Sequence, residues 1–542
     1  MKKIPVFILC ILCFLSCSKD NNKDMTVAKT VPMTPVYGDV LVEASIGDAS
    51  NLVPMLSSDS ASHEIAGYIY NGLVKYDKDY TITGDLAESW TIEKNGRVLR
   101  FHLKKGVKWQ DNEPFTAKDV MYTYKTICDP QTPTAYAGRY RMVSSARIID
   151  DHTIEFEYEE PFVPALISWS LAIMPAHLLK GKKIQDSTLT RSPVGTGPFC
   201  FKKWDTGARI VLEANKGYFD GRPRISGIVY RVIPDQTTQF MELKAGNIDI
   251  MGLSPLQYLR QTRTKAFNQM YNKYKYLSDG YTYLGFNLNR PPFDDVRVRQ
   301  AISYAIDKDE IIKGVLMGLG QKATGPYKPH TLWYNPKVRL YPYNPEKALS
   351  MLNNAGYKDH DHDGILDKEG QALEFTLLTN QGNPLRAKTA QIIQQRLKVI
   401  GIEVHIRIIE WTVFIKEYIN KGRFDAIILG WNILQDPDLY SVWHSSNAVK
   451  SGLNFVGYKN REVDNLLEQG RKTFDRKKRK ACYDRIQVIL AEEQPYVFLY
   501  CPYNLPAVSS RFMGIEPAPA GITYNLDDWY VPKALQKYKV VP

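Results

Sequence analysis

The sequence predicts an α/β protein built on several sheets, and three local patterns predict it. Val98–Leu103 and residues 154–158 alternate apolar with polar or acidic side chains, the period of a half-buried strand. Residues 388–400 carry a helical period that Gly401 stops, and Glu403–Ile409 resumes as a strand, the helix-Gly-strand unit of α/β sheets. Residues 424–431 form a nearly continuous apolar run after Gly422, as a central strand covered on both faces requires. Between these, residues 117–124 read as a short helix with Thr116 as its N-cap. Residues 296–312 read as one strong helix with Val298, Ile302, Ala305 and Ile306 on one face.

At 542 residues the chain is long enough for two or three cores, and its 44% hydrophobic and 24% charged content is that of a soluble globular protein. Aromatic residues reach 12%, with 34 Tyr and 9 Trp, enough to line a cleft with flat amphipathic rings, although a Tyr-rich core and surface would give the same count. The net charge of +12 has one dense source, the run Arg471, Lys472, Arg476, Lys477, Lys478, Arg479 and Lys480. With Asp475 inside it and an apolar helical pattern at Tyr483, Ile486 and Leu490 behind it, the run reads as a solvated helix face. No stacking motif accompanies it, so nucleic acid is not an expected partner.

Lys2 and Lys3 precede an apolar stretch over residues 4–15, the length of a signal-peptide core and too short to span a bilayer as a mature helix. The following Phe14-Leu15-Ser16-Cys17 resembles a bacterial lipobox, with Phe14 where Leu is usual. Residues 1–17 are therefore expected to be a lipoprotein signal, with Cys17 lipidated. Residues 18–36, interrupted by Pro32 and Pro35, are expected to be a flexible tether. Cys128, Cys200, Cys482 and Cys501 remain in the body, at spacings that match neither a disulfide framework nor a zinc site.

Several segments share one resemblance. Leu86-Ala87-Glu88-Ser89-Trp90, Phe101-His102-Leu103-Lys104-Lys105-Gly106-Val107-Lys108-Trp109 and Pro114-Phe115-Thr116-Ala117-Lys118-Asp119-Val120 come first. Pro193-Val194-Gly195-Thr196-Gly197-Pro198-Phe199, Gly246-Asn247-Ile248-Asp249-Ile250 and Phe293-Asp294-Asp295-Val296-Arg297-Val298-Arg299 follow, and then Gly430-Trp431, Asp436-Pro437-Asp438 and Trp443-His444-Ser445-Ser446. In this order they resemble extracytoplasmic solute-binding protein family 5, the peptide, oligopeptide and nickel binders of ABC importers. The resemblance implies a periplasmic-binding-protein-like fold: two lobes, one carrying an extra domain, joined by a hinge that the chain crosses twice. Domain I would comprise residues 37–75, 195–282 and 501–542, domain II residues 76–194 and domain III residues 283–500, with the hinge near Tyr283 and Tyr500. The protein would be an exported monomer, lipid-anchored in the periplasm or cell envelope, that captures a solute by lobe closure and hands it to permease subunits.

The resemblance also implies where the ligand sits. The loop after Gly430, Trp431 and Asn432 would pair with extended ligand backbone. Tyr500, Tyr503, Asn380 and Gln381 would contribute rings and amides. Several peptide binders of the family place an Asp three residues after the Trp to hold the ligand ammonium; here that position is Leu434. A buried ammonium without a charged partner costs on the order of several kcal/mol. Asp436 is the candidate substitute, though its primary reading is the Asp436-Pro437-Asp438 turn. Longer peptides held through their backbone fit better than zwitterionic dipeptides. An oligosaccharide or nickel chelate as ligand, or a sensor or adhesin role on the same fold, are the alternatives.

Asp359-His360-Asp361-His362-Asp363-Gly364 has alternating carboxylates and a turn Gly, like a calcium loop, but Gly370 occupies the twelfth position where a bidentate Glu is expected. Asp359, Asp361 and Asp363 are thus a weak calcium candidate, and a metal-free surface loop is the preferred reading. No cofactor is expected. No hydrolase, metalloprotease, P-loop or dinucleotide motif stands in a fitting context, which argues against an enzyme.

Overall fold

The computed structural model describes residues 34–432 and 436–539. The expected signal, most of the tether, Cys17 and Leu434 lie outside the described residues. Two seven-stranded sheets and one four-stranded sheet carry the architecture. The first large sheet runs Tyr271–Lys273, Pro506–Ser509, Ile250–Gly252, Val40–Ser45, Gly227–Val232, Arg209–Ala214 and Phe199–Asp205, so three distant stretches of chain build it. The second runs Tyr276–Leu277, Tyr496–Asn504, Gly280–Phe286, Ala426–Asn432, Glu374–Asn380 and Glu403–Ile409, with Gly320–Lys322 added beside Tyr496–Asn504. The four-stranded sheet, Ala87–Glu93, Val98–Leu103, Thr153–Tyr158 and Val143–Asp150, is antiparallel throughout.

The alternation of strand side chains explains why the second sheet is so apolar. In its central strand, Ala426 and Ile428 enter one core with the helices Val296–Ala305 and Pro384–Lys398, while Ile427 and Leu429 enter the other with Arg461–Lys472 and Arg476–Glu493. Both faces are covered, so the period-2 signal vanishes from the sequence. The first sheet and the four-stranded sheet are instead joined by one continuous apolar cluster. It runs from Leu41 and Ile228 through Ile69 and Leu73 to Phe101, Phe156 and Trp169.

Helix ends follow side-chain capping. Thr116 and Asp119 form a capping box at the start of Ala117–Cys128, and Asp119 also accepts from the Ala176 N–H at 3.0 Å. The single helix expected over residues 296–312 is two, Val296–Ala305 and Lys308–Gly314. Asp307 accepts from the N–H groups of Asp309 and Glu310 and starts a new helix, although the apolar period runs on across the break. Gly401 has φ +77° and ends Pro384–Lys398 in the left-handed region, as its sequence position implied.

The chain crosses between the large sheets at residues 273–276 and again at residues 504–506. Tyr283 and Tyr500 are not at these crossings. They lie inside the second sheet with side chains almost fully buried, because Tyr496–Asn504 stays paired with Gly280–Phe286 and then with Tyr276 and Leu277 before it leaves. The cysteines Cys128, Cys200, Cys482 and Cys501 are free thiols. Among the described residues no helix is long and apolar enough to cross a membrane.

Gly195 and Gly197 press directly on the end of the helix Ser60–Ile69. A Cβ on Gly195 would lie 1.8 Å from the Ile69 carbonyl oxygen, and one on Gly197 would lie 2.6 Å from the Ile69 carbonyl carbon. Because the obstacle is backbone, Gly195→Ala is expected to destabilise the protein by about 1–3 kcal/mol or more, read as a lower urea midpoint in equilibrium unfolding.

Candidate functional site

A cavity of about 590 Å³ opens between the second sheet and the helices that flank the shared core, within the roughly 300–1,000 Å³ of clefts that enclose small ligands. One wall comes from Asp59, Ser60, His63, Tyr136, Arg139 and Tyr140; the other comes from Tyr281, Arg386, Trp411, Gly430, Trp431 and Tyr440.

The strand Ala426–Asn432 forms the centre of the second wall. Its Gly430, Trp431 and Asn432 pair with Thr282, Tyr281 and Gly280 on one side. On the other side its ladder with Glu374–Asn380 includes only Ala426 and Ile427. Beyond Ile428, whose carbonyl accepts from the Thr379 hydroxyl at 3.1 Å, that backbone edge has no neighbouring strand among the described residues. Trp431 stacks on Phe455 with centroids 5.7 Å apart and donates through Nε1 to the Tyr496 hydroxyl at 3.3 Å, which fixes the ring at the cavity wall.

Arg386 stands beside this edge. Its Nη2 is so close to Gly430 that a Cβ there would lie 2.9 Å away. Its Nη1 donates to Asn380 Oδ1 at 2.8 Å, and its pKa is pushed down by burial, opposed by Tyr500 and Tyr283. No carboxylate among the described residues pairs with it. On the opposite wall, His63 Nε2 lies 3.0 Å from both the Ser57 carbonyl oxygen and the Tyr136 hydroxyl, and burial lowers its pKa, favouring neutral imidazole.

The lobes meet around a second group of charges. Asp438 receives a bidentate contact from Arg471, with Nε at 3.0 Å and Nη2 at 2.9 Å, and both side chains are nearly inaccessible, at 1% and 2%. Across the cleft, Arg139 Nε reaches the same carboxylate at 3.2 Å. Burial alone would raise the Asp438 pKa, but the two guanidinium groups override it and hold the carboxyl down at about 2. Next to it, Asp436 is gripped by Arg479 through Nη1 at 2.9 Å and Nη2 at 2.8 Å. The Val163 N–H donates to the Arg471 carbonyl at 2.7 Å, and Lys472 pairs with Glu160, so further contacts cross the same seam.

Of the sequence-predicted site residues, Gly430, Trp431, Asn432 and Asp436 line the cavity. Tyr500, Tyr503, Asn380 and Gln381 do not. Strand alternation sends Tyr500 into the core beneath Thr389, Tyr503 lies beside Lys275 on the first lobe's side, and the Gln381 N–H closes onto the Ile409 carbonyl. Asn380 is fully buried and acts through Arg386, whose guanidinium it holds. The basic run is also corrected: Arg471 and Arg479 are buried ion-pair partners rather than part of a solvated face. Arg139, Tyr136 and His63 carried no motif. In the 359–363 loop, oxygens of Asp359, Asp361 and Asp363 lie within 4.8 Å of one another, while His360 is bonded to Asp367 rather than turned to that cluster.

A cavity with aromatic walls between two lobes, which two chain crossings join, is the architecture of a solute-binding protein. A family model, "Bacterial extracellular solute-binding proteins, family 5 Middle", matches residues 81–452, and the chain belongs to that family. It is a binding protein, not an enzyme. The chain is 36% identical over 534 residues to the oligopeptide-binding protein AppA of Bacillus subtilis (strain 168), covering 96% of each chain. The structure of that AppA in complex with a nonapeptide superposes with a TM-score of 0.88 at 35% identity, over 92% of this chain and 100% of the other. NikZ from Campylobacter jejuni in complex with Ni(L-His) superposes with a TM-score of 0.83 at 26% identity, over 91% of this chain and 99% of that one.

Replacing Asp438 with Asn leaves Arg471 buried without its counter-charge and is expected to cost about 3–5 kcal/mol in urea unfolding. Because the folded pKa lies below the usual 3.8, the contribution is fully present above about pH 4 and disappears as pH falls through about 2. Melting temperatures of wild type and Asp438→Asn are therefore expected to differ widely at pH 7 and to converge near pH 2.

Proposed function

We propose that this protein captures oligopeptides between its lobes and delivers them to the permease of an ABC importer. The observation that carries the reading is the backbone edge beyond Ile428, which no strand among the described residues pairs, with the Arg386 guanidinium beside it in the wall of an aromatic cavity. A strand edge offers alternating donors and acceptors to an extended peptide whatever its side chains, and a guanidinium without an acid partner suits a peptide carboxylate. Aromatic walls at Trp431, Tyr440 and Tyr136 supply area that tolerates varied side chains. Family membership and the likeness to an oligopeptide-binding protein support the same class of ligand.

The reading extends to the cell envelope. Cys17 carries a lipid that tethers the monomer to a membrane through residues 18–36, keeping it near its permease. With its bounds set by the two chain crossings, domain I is formed by residues 37–75, 195–275 and 505–542, and it carries domain II at residues 76–194, with domain III at residues 276–504 as the closing lobe. Cys17→Ser should release the protein from the membrane fraction, and unaltered retention would reject the anchor.

Calorimetric titration with synthetic peptides of two to ten residues tests capture. Peptides with a free carboxylate are expected to bind, and at 100-fold over Kd to stabilise the fold by about 2.7 kcal/mol. Arg386→Met should weaken them at least tenfold while leaving C-terminally amidated peptides within threefold. If no peptide in the series binds, the peptide reading fails.

A further inference from the structure

One pair of acidic side chains in the first lobe lacks any counter-ion. Glu43 lies opposite Tyr230 in the parallel pair Val40–Ser45 and Gly227–Val232, so both side chains stand on one face of the sheet, beneath the helix Ser60–Ile69. Glu43 is 7% exposed, and its Oε1 has no hydrogen-bond partner. From the helix, Glu64 comes to the same place and accepts from the Tyr230 hydroxyl at 3.4 Å, yet it remains accessible to solvent. Burial first, and the Glu64 charge second, push the Glu43 pKa up. No Lys, Arg or His among the described residues pairs with either carboxylate.

Glu43, Glu64 and Tyr230 are not among the residues that line the cavity, but Glu64 belongs to the helix whose first turn does. Ser60 lines the cavity, and Glu64 stands one turn further on the same helix face. The strand carrying Glu43 ends toward the opposite lobe, where Gly47 packs so closely on Trp411, another cavity residue, that a Cβ would lie 2.8 Å from the ring. A buried carboxylate with an unmade hydrogen bond is costly, and a second carboxylate beside it adds repulsion. A cation would relieve both. The two places where the sequence suggested an ammonium partner do not supply one: residue 434 is Leu, and the Asp436 carboxylate is held by Arg479 at both oxygens.

We infer that Glu43 and Glu64, with the Tyr230 hydroxyl, form a subsite for a cationic nitrogen of the bound peptide, either its N-terminal ammonium or a lysine or arginine side chain. This rests on the peptide reading above and adds to it a preference for charge. With Arg386 in the cavity wall of the second lobe, it sets negative charge on the first lobe against positive charge on the second.

Calorimetry on the full chain tests this with four peptides: penta-alanine, N-acetyl-penta-alanine, and N-acetyl-penta-alanine with its central residue replaced by lysine or by norleucine. Wild type is expected to prefer a charged member over its neutral counterpart at least tenfold. A preference within the penta-alanine pair assigns the N-terminal ammonium, and one within the lysine–norleucine pair assigns a side chain. Glu64→Gln should abolish the preference while binding the neutral peptides within threefold of wild type. Glu43→Gln should do the same, but Glu64, on an accessible helix face, decides the matter if the buried substitution fails to fold. Equal wild-type affinity for charged and neutral peptides overturns the subsite and leaves peptide capture standing, as does a preference that survives Glu64→Gln. A Glu64→Gln variant that melts higher but discriminates as wild type does would mark the pair as a structural, proton-sharing contact and also overturns it. Failure of all four peptides to bind wild type overturns both the subsite and the peptide reading.

Discussion

The Asp438 carboxylate is the constraint around which the two lobes are arranged. It is buried, it is ionised, and it is shared between an arginine of its own lobe and one from the opposite lobe. Within the lobe, the bidentate Arg471 contact satisfies the charge without help from the opposite lobe, so the carboxylate does not stand alone in a dry environment. Arg139 adds a contact from the opposite lobe. This division separates stability from closure. The costly desolvation is met once, in the folding of the lobe, and the cross-cleft contact needs only a single further hydrogen-bonded approach.

The cavity walls inherit their precision from this seam and from the second sheet. The Gly430–Asn432 edge is held by Gly280–Phe286 on one side and left open on the other because Glu374–Asn380 contributes only two residues to the ladder there. Arg386 is set by Asn380, itself buried at the end of that neighbouring strand. A small number of secondary-structure ends thus fixes the backbone edge, the guanidinium and the aromatic ring of Trp431. The rest of the large helical layer behind them supplies rigidity rather than contact.

The parts of the fold that were legible in the sequence are those where one period dominates. Val98–Leu103 and the central apolar strand could be read because burial on one or both faces leaves a distinct pattern. The helix boundary at Asp307 was hidden, since the apolar period runs through it and only a local capping preference breaks it. At the site, Gly430 and Trp431 were legible through motif order, but Arg139 and Tyr136 sit on or at the start of a four-residue helix where no periodicity marks them, and His63 is a polar residue of the helix Ser60–Ile69 whose period reports the core rather than the cavity. Arg471 and Arg479 were misread for a related reason. A guanidinium that pairs with an acid more than thirty positions away looks, in sequence, the same as one facing water.

The unbroken apolar cluster between the first sheet and the four-stranded sheet has a kinetic meaning. Two units that share a core cannot slide independently without exposing it, so residues 76–194 travel with the sheet to which they are fused. Motion is left to the pair of strand crossings at residues 273–276 and 504–506, which act as parallel straps. A rotation of the lobes about these two crossings would be described by one angle, which a single pair of spectroscopic labels spanning the cleft would read.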